Sequence, residues 1–296
     1  MARPGEPLKP YKTAVFDNSR WERFVHRPDD IFVCTPAKCG TTWTQTIVAS
    51  LLWPDGKAPD AVWNLSPWID AQFVPIDVVL ARLERQTHRR FMKTHTPADG
   101  FPMWDDAKYI FVARDARDAF MSFCHHREIF NEDTRVSLNR RALEDGVPPM
   151  PPWDGDVHGF FGSWLAEGSI FRHVSTFWAL RHQPNVLLVH YNDLKRDLGA
   201  EMRRIADFLD ISVPDAKWPA VVERCTFESM KARGSEIGSV DAIFNGGVQG
   251  FLFKGTNGRW RDVLTSAELE AYRKRMADFL PEEAARWLEN GRSGAA

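Results

Sequence analysis

The stretch IFVCTPAKCGTTWTQTIVASLLW, residues 31 to 53, decides the fold. Four consecutive apolar residues, Ile31 to Cys34, stop at Thr35 and Pro36, the pattern of a short strand buried on both faces of a parallel sheet. After a brief loop, Trp43, Ile47, Val48, Leu51 and Leu52 recur at helical spacing until Pro54 and Gly56 end the element. A buried strand that runs through a short loop into a helix start presents free backbone N–H groups and the positive end of a helix dipole. Together these suit a phosphate. Lys38 adds a charge, Gly40 permits close backbone approach, and Thr41 and Thr42 bring hydroxyls into the first helical turn.

The same alternation recurs along the chain. RRFMKTH (89 to 95), KYIFVAR (108 to 114) and NVLLVHY (185 to 191) read as further strands, and a helix starts near Asp115. In LKRDLGAEMRRIADFLD (194 to 210), Leu194, Leu198, Met202, Ile205 and Leu209 mark one face of a single helix. Strands alternating with helices imply a parallel sheet with right-handed crossovers, here a single α/β domain spanning residues 1 to 296. Residues 131 to 160, with the run DGVPPMPPWDGD, read as one long irregular loop of the kind that serves as a lid. Near the C-terminus, Thr265 and Glu268 are spaced as a capping box before a last amphipathic helix.

Composition narrows the partners. The 38 basic and 40 acidic residues leave a net charge of −2, so there is no general attraction to nucleic acid or to an anionic membrane, and any anion site must be local. No apolar run approaches the roughly 20 residues of a membrane span. The N-terminal MARPGEPLKPYK lacks the apolar core of a secretory signal, which reads as a cytoplasmic chain. Cys34, Cys39, Cys124 and Cys225 are scattered singly, without the pairing or His spacing of a zinc site. They read as reduced thiols, and no metal is implied. Twelve Trp and twenty Phe favour an aromatic-lined pocket beside the ordinary core.

The loop departs from the nucleotide-binding pattern GxxxxGK[ST]: its first Gly is Thr35, and Thr41 stands where the Lys after the second Gly belongs. Its basic residue precedes Gly40 instead, which suits a single 5′-phosphate better than a triphosphate with Mg²⁺. TPAKCGTTW resembles the 5′-phosphosulfate loop, commonly YPKSGTTW, of the cytosolic type of sulfotransferases that use 3′-phosphoadenosine 5′-phosphosulfate (PAPS). KTHTP (93 to 97) is similar to that family's KTHLP, FVARDARDAFMSFCHH (111 to 126) to its 3′-phosphate motif, and FKGTNGRW (253 to 260) to its RKGxxGDW loop. VLLVHYNDLKRD and TFESMK match further family blocks in order, so the resemblance runs from about residue 31 to 270.

The resemblance implies an enzyme that moves a sulfuryl group in line between two oxygens and leaves adenosine 3′,5′-bisphosphate. His95 is then the general base, with an unperturbed pKa near ~6.5. Lys93, two residues earlier and on the same strand face, and Lys38 neutralise charge on the transferring group. The 5′-phosphosulfate falls to Lys38, Cys39, Gly40, Thr41 and Thr42; the 3′-phosphate to Arg114, Ser122, Lys254 and Gly255; the adenosine to Trp43, Tyr191, Phe227 and Met230. Read from the residues alone, His95 is equally a strand-end imidazole bonded to backbone, Arg114 a partner of Asp115 or Asp118, and Trp43 and Phe227 plain core. Cys39 replaces the usual Ser, Cys225 stands where Thr is common, and Phe253 occupies the position of an Arg on the 3′-phosphate, for which Arg259 or Lys231 could substitute.

The acceptor is a small aromatic, steroid-like or lipid-like alcohol on this reading. Trp63, Trp68 and Phe73 in VWNLSPWIDAQFVP (62 to 75), with Phe123, form its pocket, and Trp153, Phe160, Phe161 and Trp164 cover it. Arg261, Thr265 and Glu270 fit part of the family's KxxxTVxxxE dimer motif, making a homodimer an open expectation. Two rivals from other classes remain: a P-loop small-molecule kinase, which needs Mg²⁺ ligands, and a non-catalytic nucleotide-binding protein, which has no use for His95 and Lys93.

Overall fold

In the computed structural model, which describes residues 5, 6 and 8 to 294, four short strands form one parallel sheet: β1 (Ile31–Cys34), β2 (Phe91–Thr94), β3 (Lys108–Ala113) and β4 (Val186–His190), in the order β2-β1-β3-β4. The register pairs Cys34 with Thr94 on one side and with Phe111 on the other. Side chains alternate faces with the strand period of two. Phe32, Cys34, Tyr109 and Phe111 enter one core, where Phe177 of the helix Ser169–Trp178 stacks on Phe111 at 4.4 Å. Ile31, Val33, Ile110 and Val112 enter the other, covered by Ile47, Val48 and Leu51 of the helix Thr41–Leu52 and by Met202 and Ile205 of the helix Leu198–Phe208. Both sheet faces are therefore apolar, and the run IFVC needs no polar alternate residue. The four cysteines are buried and unpaired.

Strand order reverses at β1, because the chain runs from β1 out to β2 and then crosses back to β3 on the far side. A crevice opens at such a switch point, beyond the carboxyl ends of the strands. The loop after β1 lies there, and so do the first residues after β2, β3 and β4.

Two expectations are corrected. Residues 131 to 160 are not one irregular loop. Glu132–Glu144 is a helix capped by the Asn131 side chain, and Val157–Glu167 begins another, so only the Pro-rich run between them is irregular. That run is tied back where Asn139 and Met150 exchange hydrogen bonds of 2.8 and 2.7 Å. The single helix over 194 to 210 is two, Tyr191–Arg196 and Leu198–Phe208. Asp197 between them is extended, and its carboxylate caps the second at Ala200 N–H. The capping box of Thr265 and Glu268 forms as expected.

Candidate active site

The loop between β1 and the following helix is held open by two left-handed residues, Lys38 at φ 66° and Gly40 at φ 105°. A Cβ on Gly40 would lie 3.1 Å from the Tyr191 ring, so glycine is required there by both backbone and space. Thr35 and Thr41 hydroxyls close the loop at 2.6 Å. Cys39 does not join the site: its side chain is fully buried in the core beneath the loop, which explains why a thiol is accepted at that position.

Around the crevice runs one cavity of about 1550 Å³, lined by residues from every strand end. Lys93 and His95 reach it from β2. The imidazole Nδ1 of His95 lies 2.6 Å from the Thr35 carbonyl. A carbonyl only accepts, so Nδ1 carries the proton and Nε2 is left with a bare lone pair. Burial, with Lys93 close by, pushes the His95 pKa down to about 3. The ring is thus neutral at any ordinary pH. Trp68 packs edge-on against it at 4.6 Å, and a single parallel bridge between Trp68 and Lys93 fixes that indole beside β2. Behind this strand end, the buried Asp70 carboxylate accepts from the Thr94 hydroxyl at 2.8 Å and from Thr96.

Burial also pushes Lys38 down to about 7, with Lys93 and Arg114 adding repulsion, and Lys93 down to about 8 against the pull of Asp70. Like charges gathered in a crevice with no salt bridge to either lysine among the described residues are unfavourable alone and become favourable around an anion.

A second cationic patch forms beyond β3 and β4. Arg114 lies over the Tyr191 ring at 4.3 Å; its Nε and Nη2 donate to the Asn257 side-chain oxygen, and Nη2 also to the Thr256 carbonyl. Asp115 and Asp118 are engaged elsewhere, by Arg117 and by the Gly258 N–H, so neither neutralises Arg114 through a salt bridge. The loop Phe253 to Gly258 is therefore tied to the ends of β3 and β4. Gly255, at φ 62°, lies against the Phe227 ring, where a Cβ would come within 2.9 Å. Among the described residues, the Ser122 hydroxyl, the Lys254 ammonium and the Arg259 guanidinium have no hydrogen-bond partner, while Ser122, Lys254 and Arg259 all line the cavity. Burial and Arg114 lower the Arg259 pKa. Phe253, 37% exposed, stacks on His125 at 3.9 Å and offers no charge. Lys231 is committed to the Phe253 carbonyl.

The flat wall between the two cationic patches is aromatic. Trp43 donates its indole N–H to the Cys225 carbonyl at 2.7 Å and meets Tyr191 edge-on at 5.1 Å. Trp43, Tyr191, Phe227 and Met230 all line the cavity. Two cationic patches and an aromatic wall on one cavity suit a purine nucleotide that carries two phosphate groups.

The sulfotransferase domain family model matches residues 28–287. The chain belongs to that family. This sulfotransferase is 33% identical to the glycolipid sulfotransferase of Mycobacterium bovis (strain BCG / Pasteur 1173P2), over 96% of this chain and 95% of that protein. It is 27% identical to human sulfotransferase 1C2, over 89% and 88%. The crystal structure of mouse sulfotransferase SULT7A1 complexed with PAP shares its fold at a TM-score of 0.65 and 22% identity, covering 88% of each chain. No helix among the described residues of the sulfotransferase is long and apolar enough to cross a membrane.

On the remaining side of the cavity, Trp63, Trp68, Phe73 and Phe123 all line the wall, joined by Phe130, Phe160, Trp164, Phe244 and Phe251. Two of the expected covering rings lie elsewhere: Phe161 is in the core against Phe120 at 4.9 Å, and Trp153 packs on Phe160 outside the main cavity. Three site residues escaped the sequence reading. Thr35, read only as a missing glycine, sets the His95 tautomer. Asp70 was hidden among aromatics. His126, whose Nδ1 lies 3.2 Å from Lys38 Nζ, gave no signal as the second of two adjacent histidines on a helix.

Proposed function

We propose that this sulfotransferase takes PAPS as donor and sulfates a hydroxyl of a small or lipid-like acceptor, with residues 1 to 296 acting as one domain. The observation that carries this reading is one cavity that joins an aromatic wall to two cationic patches, Lys38 with Lys93 and Arg114 with Arg259, none of which forms a salt bridge among the described residues. The residues fit the nucleotide. Loop N–H groups, Thr41, Thr42 and Lys38 hold the phosphosulfate end; Arg114, Ser122, Lys254 and the Gly255 backbone hold the 3′-phosphate, and Arg259 supplies the guanidinium that Phe253 lacks. Bound there, PAPS supplies an activated sulfuryl group.

The chain's own residues do the rest. His95 Nε2 takes the proton of the acceptor hydroxyl as its oxygen bonds to sulfur and the sulfur–phosphate oxygen bond breaks. Lys38 and Lys93 neutralise the charge that gathers on the sulfuryl oxygens and on the departing phosphate oxygen. Trp63, Trp68, Phe73 and Phe123 hold the apolar part of the acceptor. The glycolipid named for the mycobacterial relative supports an acceptor with a lipid portion. A cytoplasmic location, independence from nucleic acid and a homodimer through Arg261, Thr265 and Glu270 belong to the same proposal; light scattering at micromolar concentration checks the last.

A thermal-shift comparison of adenosine 3′,5′-bisphosphate with ATP plus Mg²⁺ tests the donor. Ligand at about 100 times its dissociation constant stabilises by roughly 2.7 kcal/mol, several degrees for a chain of this size. The expected result is a shift with the bisphosphate and none with ATP. A shift with ATP alone would return the loop to the kinase reading.

A further inference from the structure

The cavity contains two neutral imidazoles whose hydrogens are set in opposite ways. His95 gives its Nδ1 hydrogen to the Thr35 carbonyl and keeps a bare Nε2. His126 is the reverse: its Nδ1 faces Lys38 Nζ at 3.2 Å, and with Lys38 charged, as holding the donor's anion requires, the ammonium only donates, so Nδ1 is bare and Nε2 carries the hydrogen. Burial disfavours a charge on this ring, and Lys38, His95, Lys93 and Arg127 add to it. The Nε2–H has no partner among the described residues, and it is not sealed in the protein, because the His126 ring lines the cavity. Around it the wall is hydrocarbon. Phe244 lies at 4.6 Å, Phe130 and Phe123 at 6.0 Å, and Phe251 covers Lys38 at 4.9 Å. A fixed donor in an aromatic wall costs desolvation if nothing accepts from it.

Resting on the sulfotransferase reading above, we propose that His126 Nε2–H donates to a second oxygen of the acceptor, so that the preferred substrate is a polyhydroxylated ring on an apolar tail rather than a simple alcohol. His95 Nε2 accepts from the hydroxyl that reacts, and His126 Nε2–H meets a neighbouring oxygen. One imidazole that accepts and one that donates match an acceptor that offers a second oxygen besides the reacting hydroxyl, as a sugar does. A plain sterol or alkanol presents one hydroxyl and leaves the donor unmet, and sites built this way discriminate against the analogue that lacks the oxygen. His126 also holds Lys38, so a loss of activity alone does not identify its role.

The test is a ratio. Turnover of an n-alkyl β-D-glucoside and of the 4-alkylcyclohexanol with the same tail is measured for wild type, His126→Phe and His126→Gln, with the bisphosphate thermal shift as the folding and donor control. Any effect through Lys38 strikes both acceptors alike and cancels. The expected result is a wild-type kcat/KM ratio that favours the glucoside and falls about tenfold in His126→Phe, the scale of one hydrogen bond. The amide N–H of His126→Gln restores part of it. Equal losses with both acceptors, or turnover of neither by a wild type that binds the bisphosphate, would overturn the inference while leaving the donor reading intact. Absence of a wild-type bisphosphate shift would remove that reading, and this inference with it.

Discussion

At the ends of the four strands the cavity wall is backbone and charge, whereas around Trp63, Phe73, Phe130 and Phe244 it is ring packed on ring. His95 is fixed by a 2.6 Å bond to Thr35, Gly40 by its dihedral and the Tyr191 ring, and Arg114 by Asn257 and Thr256. Phe73 meets the rings of Trp68 at 5.8 Å and Phe130 at 6.5 Å and makes no hydrogen bond through its side chain. Hydrogen bonds and left-handed backbone specify position to fractions of an ångström, while apolar contacts specify volume. The donor side is therefore built for chemistry that fails when a group moves. The acceptor side is built for shape, and shape is easily retuned.

Substitutions on the two sides should then differ in kind. The largest effect is expected at His95. His95→Asn removes the bare Nε2 and should lower kcat by about 10²–10⁴-fold, with bisphosphate affinity, measured by calorimetry, nearly unchanged; wild-type turnover would dissolve the distinction between the sides. An intermediate effect is expected from pH. Lys38 and Lys93, pushed down to about 7 and 8, must be charged to hold the anion. Binding at pH 8 should therefore take up roughly one to two protons, and affinity should fall as pH rises above 7. Calorimetry in buffers of different ionisation enthalpy reads this directly, and proton release would contradict it. The smallest effect belongs to the rings. Phe73→Leu should raise the acceptor KM by about 3-fold to 10-fold, within the scale of a shortened apolar contact, and leave the bisphosphate thermal shift in place. A comparable loss of bisphosphate binding would mean that the two sides are one.

The same division decided what could be read from the sequence. Strand ends were legible because IFVC and YIFVA are buried on both faces, Arg114 directly follows the second, Lys38 lies in the loop after the first, and Lys93 and His95 stand at the end of β2. The helix Glu132–Glu144 was masked by the prolines that follow it; its apolar content is low, and its start depends on a single Asn cap. Met202 and Ile205 gave a periodicity that ran straight across Asp197, whose extended backbone divides the helix without breaking the pattern. His126 was invisible for a different reason. Its meaning comes from a lysine 88 positions away in the chain, and only the fold brings the two together.

In the mechanism proposed above, the contact between Thr35 and His95 ties the proton acceptor to the very loop that receives the phosphosulfate. Thr35 also anchors Thr41 through its hydroxyl, so one residue couples the helix start, the loop and the tautomer of the base. Disturbance of the loop loosens the base as well. Such a latch makes competence all-or-none: a molecule that cannot grip its donor is also one that cannot abstract a proton, which protects a high-energy anhydride from being squandered on water.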